Sequence, residues 1–148
     1  MNIVAIKEFS QEACDAASRL LRQLSSKPSE LTESSFRAIV EAEHTHLLFL
    51  YADDGEVAGM LTIGVYCTPS GSKAWIEDVV VDDRYRGCGY GKALVAYSID
   101  FLRGMAFDTV SLTSNPSRVA ANGLYQALGF SLYETNVYRI KINHFFVH

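Results

Sequence analysis

The apolar residues of this chain follow two spacings, and each switch between them marks a new element. Ile3 to Phe9 alternates in the manner of a strand lying on a sheet. Ser10 then stands where a helix would be capped, and Ala13, Ala17, Leu20, Leu21 and Leu24 recur at helical spacing up to the Ser25–Ser29 break at Pro28. A second helix is predicted from Thr32 to Glu43, with Phe36, Ile39 and Val40 inward and His44, Thr45 and His46 at its end. Leu47 to Ala52 and Val57 to Tyr66 are apolar, β-rich runs, and Asp53-Asp54-Gly55-Glu56 between them favours a tight hairpin. A loop from Cys67 to Ser72, with Pro69 and Gly71, leads into an antiparallel strand over about Ala74 to Val81.

The helical spacing returns with Leu94, Val95, Ile99, Leu102 and Met105. Asp108 to Thr113 reads as a fifth strand, parallel to the fourth because a helix intervenes. Arg118 to Leu128 is the last long helix, closed by Gly129 in the left-handed conformation, and Ser131 to Glu134 and Val137 to Ile142 are the final strands. The expected class is α/β, a mixed sheet with helices on both faces.

Composition narrows the function. At 148 residues, 49% hydrophobic and 20% charged, the chain reads as a single domain over residues 1–148, large enough for a real core. A formal net charge of -4 argues against a partner that is nucleic acid or an anionic membrane, and suits a basic substrate better. Three cysteines, Cys14, Cys67 and Cys88, are odd in number and lack metal spacing, which implies a reduced, cytoplasmic setting and no metal. Met1 to Phe9 does not resemble a signal peptide, and no apolar run approaches membrane-spanning length.

The chemistry is concentrated between Val79 and Lys92. There an apolar β-branched run is followed by Arg86-Gly87-Cys88-Gly89-Tyr90-Gly91-Lys92 and then by the helical pattern. A glycine loop that opens a helix presents unpaired N–H groups and a positive dipole end, which suits phosphate. Arg86 and Lys92 add charge, and Gly87, Gly89 and Gly91 remove side chains that would hold a ligand away. A Walker loop is excluded, because the spacing from Gly87 to Gly91 is one residue short and Ala93 replaces the Ser or Thr that holds magnesium. The alternating glycines also fail the dinucleotide fingerprint, which needs Gly-x-Gly-x-x-Gly early in a βαβ unit.

What remains is Arg-x-x-Gly-x-Gly at Arg86, Gly89 and Gly91, and it resembles the acyl-CoA motif of the GNAT family of N-acetyltransferases. The block from Asn115 to Phe130 resembles that family's second signature, with Ala120-Ala121, Leu124-Tyr125 and a closing Gly129-Phe130. The resemblance implies a mostly antiparallel twisted sheet of six to seven strands, about four flanking helices and splayed strands four and five. It implies acetyl-CoA as donor, with the diphosphate on Arg86 to Lys92 and the pantetheine arm along the backbone of Val79, Val80 and Val81. A backbone N–H near Val79 would polarise the thioester carbonyl. Tyr125 takes the place of the acid that protonates the leaving thiolate. Asn115 and Asn122 are potential donors to the cofactor arm, and Arg118 to a phosphate. The early helices flank the acceptor cleft in the family, which makes Leu24 to Leu31 a substrate loop by resemblance.

An amine acceptor near neutral pH needs a base, since its reference pKa is about 10.4. Glu77 and Asp78 are the nearest carboxylates; on a regular strand they face opposite ways, so only one would reach the cleft unless a bulge intervenes. Glu77 is favoured for sharing a face with Val79 and Val81. Some relatives carry a glutamate on the fifth strand, where Thr113 stands here, so the base stays open. Plainer readings stand beside these: a simple tight turn for the glycines, an exposed pair for Glu77 and Asp78, a core aromatic for Tyr125, a loop filler for Cys88 and surface positions for the histidines.

The activity expected is direct acetyl transfer to a primary amine of a small molecule or peptide. Ile76-Glu77-Asp78-Val79 also resembles the matching strand of glucosamine-6-phosphate acetyltransferases, and an acyl-CoA-binding sensor or interaction module is a further alternative. The apolar Phe145-Phe146-Val147 suggests cover by a partner subunit, hence a possible homodimer, or folding back on the sheet.

Overall fold

The structure is a computed structural model that describes residues 1–142. Four strands, β1 (Asn2–Ile6), β2 (Thr45–Tyr51), β3 (Val57–Thr68) and β4 (Gly71–Val81), form an antiparallel sheet in the order β1-β2-β3-β4. Helices α1 (Gln11–Leu24), α2 (Glu33–Val40), α3 (Tyr90–Gly104) and α4 (Val119–Ala127) complete the mixed α/β architecture. β2 is apolar at nearly every position because both of its faces are covered. Leu47 and Phe49 pack with α1 and α2, through Ala13, Ala17, Leu20, Phe36 and Val40. Leu48 and Leu50 pack on the other face with Leu94, Val95 and Leu102 of α3 and Tyr125 of α4.

Caps set the helix limits. The Ser10 hydroxyl accepts from the Ala13 N–H at 3.1 Å, and Thr32 and Ser35 satisfy one another's backbone in a capping box. α2 ends at Val40, so Thr45 and His46 belong to β2 and not to a helix end. His46 is therefore no surface histidine. It is only 8% exposed, lies against Phe101 and accepts from Lys7 Nζ at 2.8 Å through Nδ1. At Gly59 a Cβ would sit 2.9 Å from Leu94 Cδ1 and 3.1 Å from the Val80 carbonyl, so the missing side chain lets α3 lie close on the sheet.

The sheet is smaller than the sequence suggests. The expected fifth strand is one parallel bridge, Trp75 to Ser111, in which Ile76 N–H donates to Ser111 O at 2.9 Å and Ser111 N–H to Ala74 O at 3.0 Å. Beyond it β4 leaves its neighbour. Ser131 to Glu134 and Val137 to Ile142 form no strands, correcting that expectation. Their apolar spacing is the local half of a strand signal, but a strand also needs an edge to pair with. Here Leu132, Tyr138 and Ile142 are 95%, 87% and 90% exposed. Phe145-Phe146-Val147 lies outside the described residues.

Candidate functional site

The glycine loop is held from behind by a buried carboxylate. Asp82, 1% exposed, follows β4 and accepts from Arg19 of α1, from the Arg84 backbone N–H at 3.0 Å and from Arg84 Nη2 at 3.2 Å. Its own N–H donates to Ala58 O at 2.8 Å, and Gln23 of α1 accepts from the Asp83 N–H at 2.8 Å. The Tyr85 hydroxyl donates to Asp54 in the β2–β3 turn at 2.5 Å; this bond lowers the Asp54 pKa and raises that of Tyr85. The sequence alone does not single out Asp82. An acid closing a valine run was the available signal, but its arginine partner lies 63 residues away.

The loop then turns into α3 through two left-handed glycines, Gly87 at φ 81° and Gly89 at φ 78°. No Cβ would clash at either, so backbone conformation is what demands glycine there. Gly91 differs. A Cβ on it would meet Leu124 Cδ1 at 3.3 Å, so this glycine serves the contact between α3 and α4. Ala93 N–H makes the first helical bond, to Gly89 O at 3.1 Å, which leaves the amides of Tyr90, Gly91 and Lys92 ahead of it as the open donors of the helix. Lys92 and Cys88 are exposed, and Arg86 is exposed and paired with Asp83 at 2.7 Å.

At the other end of β4 a bulge re-aims the strand. Thr62 pairs with Glu77 and Met60 with Val80, so two residues, Asp78 and Val79, stand opposite Leu61, with Asp78 at φ 53°. The bulge overturns the facial argument for Glu77. Paired residues share a face, so Glu77 lies on the side of Met60 and Val80, above α1, and not with Val79 and Val81. It also switches the backbone phase. Before it, Ile76 N–H points outward to Ser111; after it, Asp82 N–H points inward to Ala58. The intervening pairs therefore alternate so that Val80 spends its backbone on Met60, while Val81 directs its N–H and C=O away from β3.

Earlier on β4 lies a cleft of about 210 Å³ lined by Leu24, Ile76, Glu77, Asp78, Val79, Leu112, Thr113, Arg118 and Tyr125. Its lining includes Leu24 from α1 and Tyr125 from α4. Both Glu77 and Asp78 are among its lining residues, at the point where the bulge breaks the regular alternation of the strand. Tyr125 is set by the end of α4: Phe130 N–H donates to Tyr125 O and Gly129 N–H to Gln126 O, both at 3.0 Å, with Gly129 at φ 98° and the Phe130 ring 5.9 Å from that of Tyr125. Burial raises the Tyr125 pKa against a smaller opposing effect of Arg118, so the phenol is protonated at neutral pH. Asn115 and Asn122 also shape the approach to α4. Asn115 Oδ1 accepts from the Ser117 N–H and hydroxyl, and Asn122 Nδ2 donates to Asn115 O at 3.0 Å, fixing the turn into α4.

A sheet that parts beside a glycine-rich helix start, with a tyrosine and carboxylates at the parting, defines the acetyltransferase class of fold. The chain belongs to the acetyltransferase (GNAT) family, whose sequence model matches residues 11–130, and it is an acyltransferase. It is 32% identical over 123 residues to glucosamine 6-phosphate N-acetyltransferase 1 of Oryza sativa subsp. japonica, covering 75% of this chain and 70% of that protein. Its fold matches a protein of Agrobacterium tumefaciens provisionally named an acetyltransferase, at TM-score 0.82 and 21% identity over 95% of this chain and 100% of that one. It also matches glucosamine-6-phosphate N-acetyltransferase of Arabidopsis thaliana, at TM-score 0.76 and 21% identity over 95% and 99% of the two chains. Enzymes of this family use acetyl-CoA. Among the described residues there is no cluster suited to a metal and no helix long and apolar enough to cross a membrane.

Proposed function

We propose that the protein transfers acetyl directly from acetyl-CoA to the primary amine of a small molecule or peptide, with both substrates bound together. The observation that carries this reading is that β4 links a helix start with free amides to a cleft holding carboxylates and a tyrosine. The strand leads at one end to the free amides ahead of Ala93, and its middle borders the cleft of Glu77, Asp78 and Tyr125. Those amides, with Lys92 and Arg86, fit a diphosphate, and the outward N–H and C=O of Val81 fit an amide of the pantetheine arm. The donor supplies an activated thioester.

The residues of the chain do the rest. Glu77 or Asp78 takes the ammonium proton so that the nitrogen lone pair is available to the carbonyl carbon. As the C–N bond forms and the C–S bond breaks, Tyr125 gives its proton to the departing sulfur. The relatives named for glucosamine 6-phosphate support an amino-sugar phosphate as second reading. Binding of acetyl-CoA without release of CoA over an amine panel would instead indicate a sensor. The free cysteines fit a cytoplasmic setting, and the exposed apolar segment at 132–142 supports a homodimer.

The test is CoA release over an amine panel alongside calorimetric CoA binding. Tyr125→Phe is expected to lower turnover by roughly 10²-fold with little change in CoA affinity. Gly89→Val, forced into a left-handed conformation at the helix start, is expected to abolish CoA binding. Full turnover in the first variant, or unchanged CoA affinity in the second, would refute the assignments.

A further inference from the structure

The cleft holds one cation among its lining residues, and that cation is placed for the acceptor. Arg118 precedes α4 and makes no side-chain cap bond, and it lines the same cleft as Glu77 and Asp78, close enough to Tyr125 to act on its phenol. Among the described residues none of these three charges forms an ion pair. Opposite charges in one cleft that do not pair with each other are placed for a ligand that carries both signs. The glycine loop lies elsewhere. Leu124 is the α4 residue that rests over Gly91, and Arg118 is six residues earlier, about 9 Å back along the helix axis. The loop has cations of its own in Arg86 and Lys92.

We infer that Arg118 reads an anionic group on the acceptor, so that the acceptor is a small molecule bearing both a primary amine and an anion. This rests on the transferase reading above. It moves Arg118 from a cofactor phosphate, the partner suggested for it above, to the acceptor. The guanidinium is suited to the task, since its fork matches phosphate, sulfate or carboxylate oxygens in a bidentate contact. The amine end of the same molecule is then directed at Glu77 and Asp78. Arg118 is exposed and outside the core, so its replacement does not threaten the fold.

The experiment compares kcat/KM for glucosamine, glucosamine 6-phosphate, glucosamine 6-sulfate and a carboxylate-bearing amine in the full chain, its Arg118→Gln and Arg118→Lys variants, with acetyl-CoA affinity measured by calorimetry. The wild type is expected to prefer at least one anionic acceptor over glucosamine by roughly tenfold to a hundredfold, the reach of one charged hydrogen-bonded contact. Arg118→Gln should collapse that ratio towards one, and Arg118→Lys should restore part of it. Equal rates across the panel, or a preference that survives Arg118→Gln, would overturn the inference. So would a loss of acetyl-CoA affinity in that variant, which would return Arg118 to the cofactor. Failure to acetylate any amine would overturn the transferase reading itself, and this inference with it.

Discussion

Asp82 and His46 are buried polar residues with opposite consequences. Asp82 is the negative centre between Arg19 and Arg84, and it orients the turn that precedes the glycine loop. Asp82→Ala leaves Arg19 facing the interior without a counter-charge and frees the turn. A loss of about 3 kcal/mol is expected in urea denaturation, together with weaker CoA binding. His46 is held neutral, its pKa lowered first by burial, then by Lys7 and His44. Its folded value lies below the ordinary imidazole value of about 6.5. Above that value both states are neutral; as pH falls through it the unfolded chain takes up a proton that the native chain refuses, so stability declines with acidity. The melting temperature should fall between pH 7.5 and 5.5, and His46→Phe should flatten that dependence. An unchanged slope in the variant would show that other groups set it.

At the scale of elements, what could be read from the sequence was what is local. The helix faces, the Ser10 cap, the Asp53–Glu56 turn and the left-handed Gly129 follow from spacing and residue type, and the structure shows each of them. The glycine loop was equally plain, because three glycines in five residues have few explanations. Features decided by distant partners were not legible. The bulge at Asp78 depends on how β3 pairs, the Asp82 cluster on α1, and the two missing strands on an edge the sequence cannot supply. Ala106 is a similar surprise. It closes α3 at φ 65°, with Phe107 N–H donating to Leu102 O at 3.0 Å, in the arrangement that Gly129 makes for α4. An alanine there bears a Cβ penalty that glycine lacks. Ala106→Gly should therefore raise stability by about 1 kcal/mol by chemical denaturation.

For the whole molecule, the largest discord is between a well-covered sheet and an uncovered C-terminal segment. Leu132, Tyr133, Val137, Tyr138, Ile140 and Ile142 are all exposed, whereas soluble chains seldom leave so many large apolar groups together in water. If the homodimer proposed above covers them, light scattering will give twice the 16.4 kDa chain mass. Ile140→Asp will return the protein to a monomer with its circular dichroism unchanged, since Ile140 is 78% exposed among the described residues. A wild-type monomer at micromolar concentration would remove the dimer.

One helix touches both the glycine-loop support and the cleft. Arg19 and Gln23 grip the approach to the glycine loop, while Leu24, the last residue of α1, forms a wall of the cleft. A tilt of that rod large enough to admit a bulky acceptor must also tug on the donor's anchorage. If such a tilt accompanies binding, each substrate alters the other's affinity by the same factor, and the two dissociation constants cannot be tuned independently.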